Sequence, residues 1–159
     1  MRTAIIFVLG LALGVAVTTK SQGSKVAGMN GVNHIGLSVD NFDESVAFYE
    51  QKMGFREVDR LHNDKGETTL VFVQVSRDTF LELAPSNPNR PAGLTHFGVN
   101  VDSASAAVAA LKERGITVGD PRNVGMQWTI ANVTAPGARI ELTELGPESS
   151  LGKATSGWK

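Results

Sequence analysis

The sequence predicts an α+β fold: two βαβββ modules whose strands join into one curved mixed sheet shaped as a cup. Three observations predict it. The phrase Gly31-Val32-Asn33-His34-Ile35-Gly36-Leu37-Ser38-Val39-Asp40 returns as Gly93-Leu94-Thr95-His96-Phe97-Gly98-Val99-Asn100-Val101-Asp102. The closing phrase Phe80-Leu81-Glu82-Leu83 returns as Arg139-Ile140-Glu141-Leu142. Between opening and closing phrases, each half shows one stretch of helical periodicity followed by stretches of strand alternation. At 159 residues the chain is about one domain long. Neither half is large enough to bury a good core alone, so the halves should share one.

The chain opens with Arg2 and an apolar run from Ala4 to Val17, too short for a comfortable membrane span of ~20 residues. A small, polar stretch from Thr18 to Lys25 follows. This is the layout of a signal peptide over residues 1–23, implying an exported, periplasmic or secreted protein. Left uncleaved, the segment would be a marginal anchor; cleaved, it leaves no stable membrane contact.

The first module spans 30–85. Val32–Val39 alternates as a strand, with Ile35, Leu37 and Val39 on one side and Val32, His34, Gly36 and Ser38 on the other. Phe42–Met53 reads as a helix, with Phe42, Val46, Tyr49 and Met53 on its apolar stripe and Gly54 as its stop. Strands are expected at Phe55–Leu61, Thr68–Val75 and Thr79–Leu83, with a turn at Asn63-Asp64-Lys65-Gly66. Pro85, Pro88 and Pro91 make a linker. The second module, 92–145, repeats the order. Leu94–Val101 is a strand, and Ser103 caps a helix over Ala104–Arg114. Short Thr117-Val118, long Gln127–Val133 and Arg139–Thr143 complete it. Residues 146–159, rich in Ser and Gly, are expected to be a flexible tail.

Strand alternation places the chemistry. If Leu81, Leu83, Ile140 and Leu142 pack under the helices, then Glu82 and Glu141 point to the other face, where His34 and His96 also point. Two carboxylates in one cup repel each other and resist desolvation; a divalent cation removes both penalties. His34, Glu82, His96 and Glu141 are therefore candidate metal ligands. Imidazole and carboxylate without thiolate suit Zn, Ni, Co, Mn or Fe(II). Gly36 and Gly98 are read as leaving the face open for a ligand. Phe80, Met126, Trp128 and Arg139 are candidate pocket residues: Phe80 either shields Glu82 or fills the cup, Met126 and Trp128 either line a pocket or pack in the core, and Arg139 either holds an anionic substrate or pairs with a carboxylate at the rim.

The chain has no cysteine, which excludes disulfides and thiolate chemistry. With 15 basic and 16 acidic residues its formal charge is -1, which argues against nucleic acid as a partner. A homodimer is expected, because Leu70, Val71, Phe72, Val73 and Val75 offer more apolar surface than one helix can cover.

The repeated βαβββ pattern, with Asn33-His34-Ile35-Gly36, Thr95-His96-Phe97-Gly98 and Ala135-Pro136-Gly137-Ala138-Arg139-Ile140-Glu141-Leu142, resembles the vicinal oxygen chelate superfamily. That group includes glyoxalase I, bleomycin and fosfomycin resistance proteins, methylmalonyl-CoA epimerase and extradiol dioxygenases. The resemblance covers roughly residues 30–145 and implies the glyoxalase-like fold. By position, His34, Glu82, His96 and Glu141 match the four metal ligands of glyoxalase I, and Glu82 and Glu141 its proton-shuttling carboxylates. The resemblance thus implies a metal-dependent lyase or isomerase acting on a small substrate with vicinal oxygens. An iron dioxygenase and an exported small-molecule binding protein are the alternatives. The chain departs from glyoxalase I where that enzyme holds glutathione: Leu61–Gly66 is short and polar, and Asn123–Trp128 replaces a His-Gly-rich phrase.

Export makes a direct test possible. Mass spectrometry of the natively expressed protein should show loss of roughly the first 23 residues, the length of an n-region plus apolar core. An intact N-terminus in the cytosolic fraction contradicts it.

Overall fold

A computed structural model describes residues 25–26, 28–125 and 127–159. The expected signal peptide and Met126 lie outside the described residues. Eight strands form one sheet in the order β2-β3-β4-β1-β5-β8-β7-β6. The strands are β1 (Met29–Val39), β2 (Arg56–His62), β3 (Thr68–Ser76), β4 (Thr79–Pro85), β5 (Gly93–Val101), β6 (Arg122–Asn123), β7 (Trp128–Ala135) and β8 (Ala138–Leu145). Helix α1 (Phe42–Ala47) follows β1 and helix α2 (Ala104–Glu113) follows β5. The two modules thus meet along one seam, the antiparallel pair β1–β5. In each module the first strand runs parallel to the last, β1 with β4 and β5 with β8.

One sheet face carries α1 and α2. Val71, Val73, Leu83 and partly buried Leu37 and Val39 pack with Val46 of α1. Val101, Ala131, Val133 and Leu142 pack with Ala104, Ala107, Val108 and Leu111 of α2. Ser103 caps α2 as its side chain accepts from the Ala106 amide. Glu144 Oε2 accepts from the Ala104 amide at 2.7 Å, so the last strand also holds the helix start. The alternation read from sequence is the alternation observed.

Three elements differ from expectation. The first helix becomes a π turn over Phe48–Lys52, closed by Met53 N donating to Phe48 O. The slip rotates Met53 off the apolar stripe and leaves it 52% exposed, while Tyr49 stacks on Phe55 at 6.2 Å. The short strand of the second module is Arg122–Asn123, and Val118 makes only an isolated bridge to Val133. The largest correction concerns 146–159. It does not fray: Ser150–Ser156 is a helix, α3, started by Ser149, whose hydroxyl accepts from the Gly152 amide.

Helix α3 lies over the concave face at the first module. Leu151 is fully buried against Phe72, Phe80 and Trp128, and Gln74 Nε2 donates to Ala154 O at 3.2 Å. This covers Phe72, one part of the β3 surface on which the dimer expectation rests. Val71 and Val73 are under α1, and Phe72 is under α3 and Trp128. Among the described residues no helix is long and apolar enough to cross a membrane.

Leu151→Ala should cost about 2–4 kcal/mol, the range for truncating a buried leucine. Urea denaturation measures it; a cost near zero would return the segment to a frayed tail.

Candidate metal centre

The seam builds the centre. In the β1–β5 register His34 faces Gly98 and Gly36 faces His96. A Cβ on Gly36 would run into the His96 ring and Thr95 Oγ1, and a Cβ on Gly98 into the His34 ring and Asn33 Oδ1. The space at these glycines, which the sequence reading leaves open for a ligand, is therefore filled. Each glycine makes room for the other module's imidazole. This close approach brings His34 Nε2 and His96 Nε2 to 2.9 Å.

The carboxylates arrive from the neighbouring strands. Parallel pairing sets Gly36 beside Glu82 and Gly98 beside Glu141. Glu82 Oε2 lies 3.6 Å from His34 Nε2 and 3.5 Å from His96 Nε2. Glu141 Oε1 lies 3.7 Å from His34 Nε2. Ligand atoms of His34, His96 and Glu141 all fall within 4.8 Å of one another. Donors bound ~2.1 Å from one ion in adjacent positions sit roughly 3 Å apart, so these separations need only slight closure around an ion. The donors fit a divalent metal, and the buried triad His34, His96 and Glu141 forms its site. Glu82 stands within reach as a fourth ligand.

The imidazoles are held from behind. His34 Nδ1 donates to Asn33 Oδ1 at 2.7 Å, which turns the Nε2 lone pair to the centre. His96 Nδ1 has two neighbours, Thr95 Oγ1 at 2.8 Å and Arg139 Nη2 at 2.9 Å. The residues before each histidine thus do matching work. Sequence reading missed them, although the repeat displayed the signal: an oxygen-bearing side chain precedes His in both copies.

The electrostatics differ around the ring. Burial pushes His34 down to about 4, against the upward pull of Glu82, so its imidazole is neutral. Burial also works to raise Glu82, but the hydrogen bond with His96 and the nearby imidazoles and Arg139 outweigh it, holding Glu82 below the ordinary range. Glu141 is raised, by burial first and also by the charge of Glu82, with His96 and Arg139 pulling the other way. The Glu82 and Glu141 side chains are 17% and 9% exposed, against 0% for His34, so solvent reaches the centre on the carboxylate side.

Not every expected pocket residue lines that opening. Phe80 and Trp128 are buried together with Phe72, Leu151 and Ala154 and fill the cup. Phe72 stands edge-on to both His34 and Trp128, with ring centroids at 6.3 and 5.1 Å. Arg139 is exposed at the rim and reaches the site through His96, not through a carboxylate. A cavity of about 460 Å³ borders Asn33, Asn100 and α3 but includes none of the four donors. The direct opening beside the carboxylates has the stronger claim, because the reactive groups are there.

The chain matches known proteins over this same region. The family model for the Glyoxalase/Bleomycin resistance protein/Dioxygenase superfamily covers residues 31–130. YwkD of Bacillus subtilis, an uncharacterized protein, is 27% identical over 95 residues, 55% of this chain and 74% of that protein. Methylmalonyl-CoA epimerase from Mycobacterium tuberculosis has the same fold, with a TM-score of 0.67 at 20% identity over 79% of this chain and 95% of that one. A hypothetical protein from Bacillus halodurans gives a TM-score of 0.61 at 19% identity over 72% and 94%.

The depressed His34 value fixes a sign. Between about 4 and 6.5 the unfolded chain takes up a proton that the folded metal-free chain refuses. Stability should therefore fall as pH drops from 6.5 towards 4, by up to roughly 3 kcal/mol. Denaturant midpoints across that window test it. His34→Gln should flatten the profile, and an unchanged slope in that variant would contradict the assignment.

Proposed function

The chain belongs to the Glyoxalase/Bleomycin resistance protein/Dioxygenase superfamily, and we propose that it is a metal-dependent isomerase or lyase that moves a proton on a small oxygenated substrate. The observation that carries this is the unequal pair of carboxylates around two buried imidazoles. Glu141 belongs to the buried three-donor set. Glu82 lies within 3.6 Å of both imidazoles, is the more exposed of the pair and is held in its ionised form. The buried carboxylate suits a ligand, and the more exposed, ionised one facing the opening suits a base.

His34, His96 and Glu141 would hold the ion, which supplies Lewis-acid polarisation of a substrate carbonyl or enediolate oxygen. Asn33 and Thr95 fix the imidazole orientations. Glu82, with its own negative charge facing the opening, takes a proton from the carbon next to the polarised oxygen. It returns that proton to the same or the neighbouring carbon. Phe72, Phe80 and Trp128 keep water from the His34 side of the cup. A relative in fold named as a methylmalonyl-CoA epimerase supports proton transfer at carbon as the kind of chemistry. Glyoxalase-type substrates with vicinal oxygens remain the finer reading, with the exported location expected from residues 1–23.

One observation favours a second reading. Two His and one carboxylate, as in the buried set His34, His96 and Glu141, is also the donor set of non-haem iron oxygenases. Protein purified without a chelating tag separates the two. Nickel, cobalt or zinc, with solvent deuterium entering methylmalonyl-CoA or a panel of small 2-hydroxy ketones, is the expected result. Glu82→Gln should keep its metal and lose about 10²–10⁴ of that exchange. Iron with oxygen consumption and no exchange would favour the oxygenase instead.

A further inference from the structure

We infer that the cavity beside α3 is a second ligand site, separate from the metal centre, built for a small hydroxylated organic cation of the amino alcohol or amino sugar class. The cavity measures about 460 Å³, inside the range of ~300–1,000 Å³ for small-molecule sites. It lies between β1, the ends of β5 and β8, and α3, and none of the four donors of the metal centre borders it. Two features of different kinds point to an occupant.

The first is a buried donor without an acceptor. Asn33 lines the cavity and is 2% exposed. Its Oδ1 faces His34 Nδ1 at 2.7 Å, and its Nδ2 has no hydrogen-bond partner among the described residues. An unpaired buried N–H is costly, and an occupant with an oxygen acceptor at this wall removes the cost. The second feature is charge. Asp78, Asp102 and Glu144 line the cavity, and among the described residues no Lys, Arg or His does. Asp102 Oδ1 accepts from Asn30 Nδ2 at 2.6 Å, and Glu144 Oε2 accepts from the Ala104 amide at 2.7 Å. Both donors are neutral, so the negative charge stays. Asp78 Oδ1 lies 3.8 Å from Arg77 Nε, too far for a hydrogen bond. A cavity lined by one sign of charge concentrates the opposite ion.

That ion is not a bare metal. Among the described residues, only His34, His96 and Glu141 bring ligand atoms within 4.8 Å of one another. The three cavity carboxylates do not converge; they border a molecule-sized space. The matching ligand carries an ammonium group for the carboxylates and an oxygen for Asn33 Nδ2. Further hydroxyls meet half-buried Asn100 and Thr155, which also line the space.

Glucosamine and glucose are the probes, since they differ in the amine and its charge. They are titrated below the amine pKa, in phosphate buffer, into isotope-labelled protein treated with chelator, so the outcome does not depend on the metal centre. Nuclear magnetic resonance should show saturable glucosamine shifts at the Asn33 side-chain amide and at the Asn100 and Thr155 backbone amides. Glucose should bind at least about 10-fold more weakly. The double variant Asp78→Asn, Asp102→Asn changes two exposed residues and should weaken glucosamine about 5-fold. Asn33→Leu should weaken it by a similar factor, about 5-fold, through the lost donor. Signal dispersion reports whether each variant is folded. Glucose binding as tightly as glucosamine, or glucosamine affinity unmoved in the double variant, overturns the site. So does the absence of saturable shifts at these residues. Ca²⁺ shifting them where glucosamine does not would make the cavity an ion site and also overturn the inference.

Discussion

Two imidazoles from different halves of the chain can approach to 2.9 Å only because each meets a glycine on the opposite strand. Everything else in the structure is arranged around that seam. The antiparallel β1–β5 pair is where the repeated modules join, and its register is set so that His34 lies over Gly98 and His96 over Gly36. A slip of either strand by one residue would turn its histidine to the helix face and break the core under its own helix. The apolar core therefore enforces the geometry of the polar centre. Neither half holds a site of its own, because each contributes one imidazole, one carboxylate and the vacancy that the other's imidazole fills.

The centre is expensive in its metal-free form. Two carboxylates and two imidazoles share a region from which water is largely excluded, and buried charge is costly unless it is paired. The chain manages this locally. His34 stays neutral, Asn33 and Thr95 satisfy the outer ring nitrogens, and Arg139 contributes positive charge at the rim. What remains is a raised Glu141 beside an ionised Glu82. A divalent cation relieves that imbalance. Stability and chemistry thus pull on the same residues, and the aromatic packing of Phe72, Phe80, Trp128 and Leu151 stands close by to hold the frame.

Much of this could be read in the sequence, for identifiable reasons. The internal repeat located the modules, and strand alternation placed His34, Glu82, His96 and Glu141 on one face, since period two depends only on local geometry. What escaped depends on contacts between distant segments. Helix α3 owes its existence to Leu151 meeting Phe72 and Trp128, not to the propensity of a segment containing Gly152. Gly36 and Gly98 were legible as small residues but not as the seats of the opposing imidazoles, because that requires the register between modules. For Phe80 and Trp128 the sequence leaves lining and filling equally open, and only the arrival of α3 decides for filling. The link from Arg139 to His96 crosses from β8 to β5 and leaves no local trace.

The central claim is that both imidazoles and Glu141 bind one divalent ion. X-ray absorption on protein loaded with one equivalent of Co²⁺ tests it most directly. The expected spectrum has two imidazole nitrogens and carboxylate oxygen in the first coordination shell, with one imidazole lost in His96→Ala. A shell of oxygen alone, unchanged in that variant, would contradict the account.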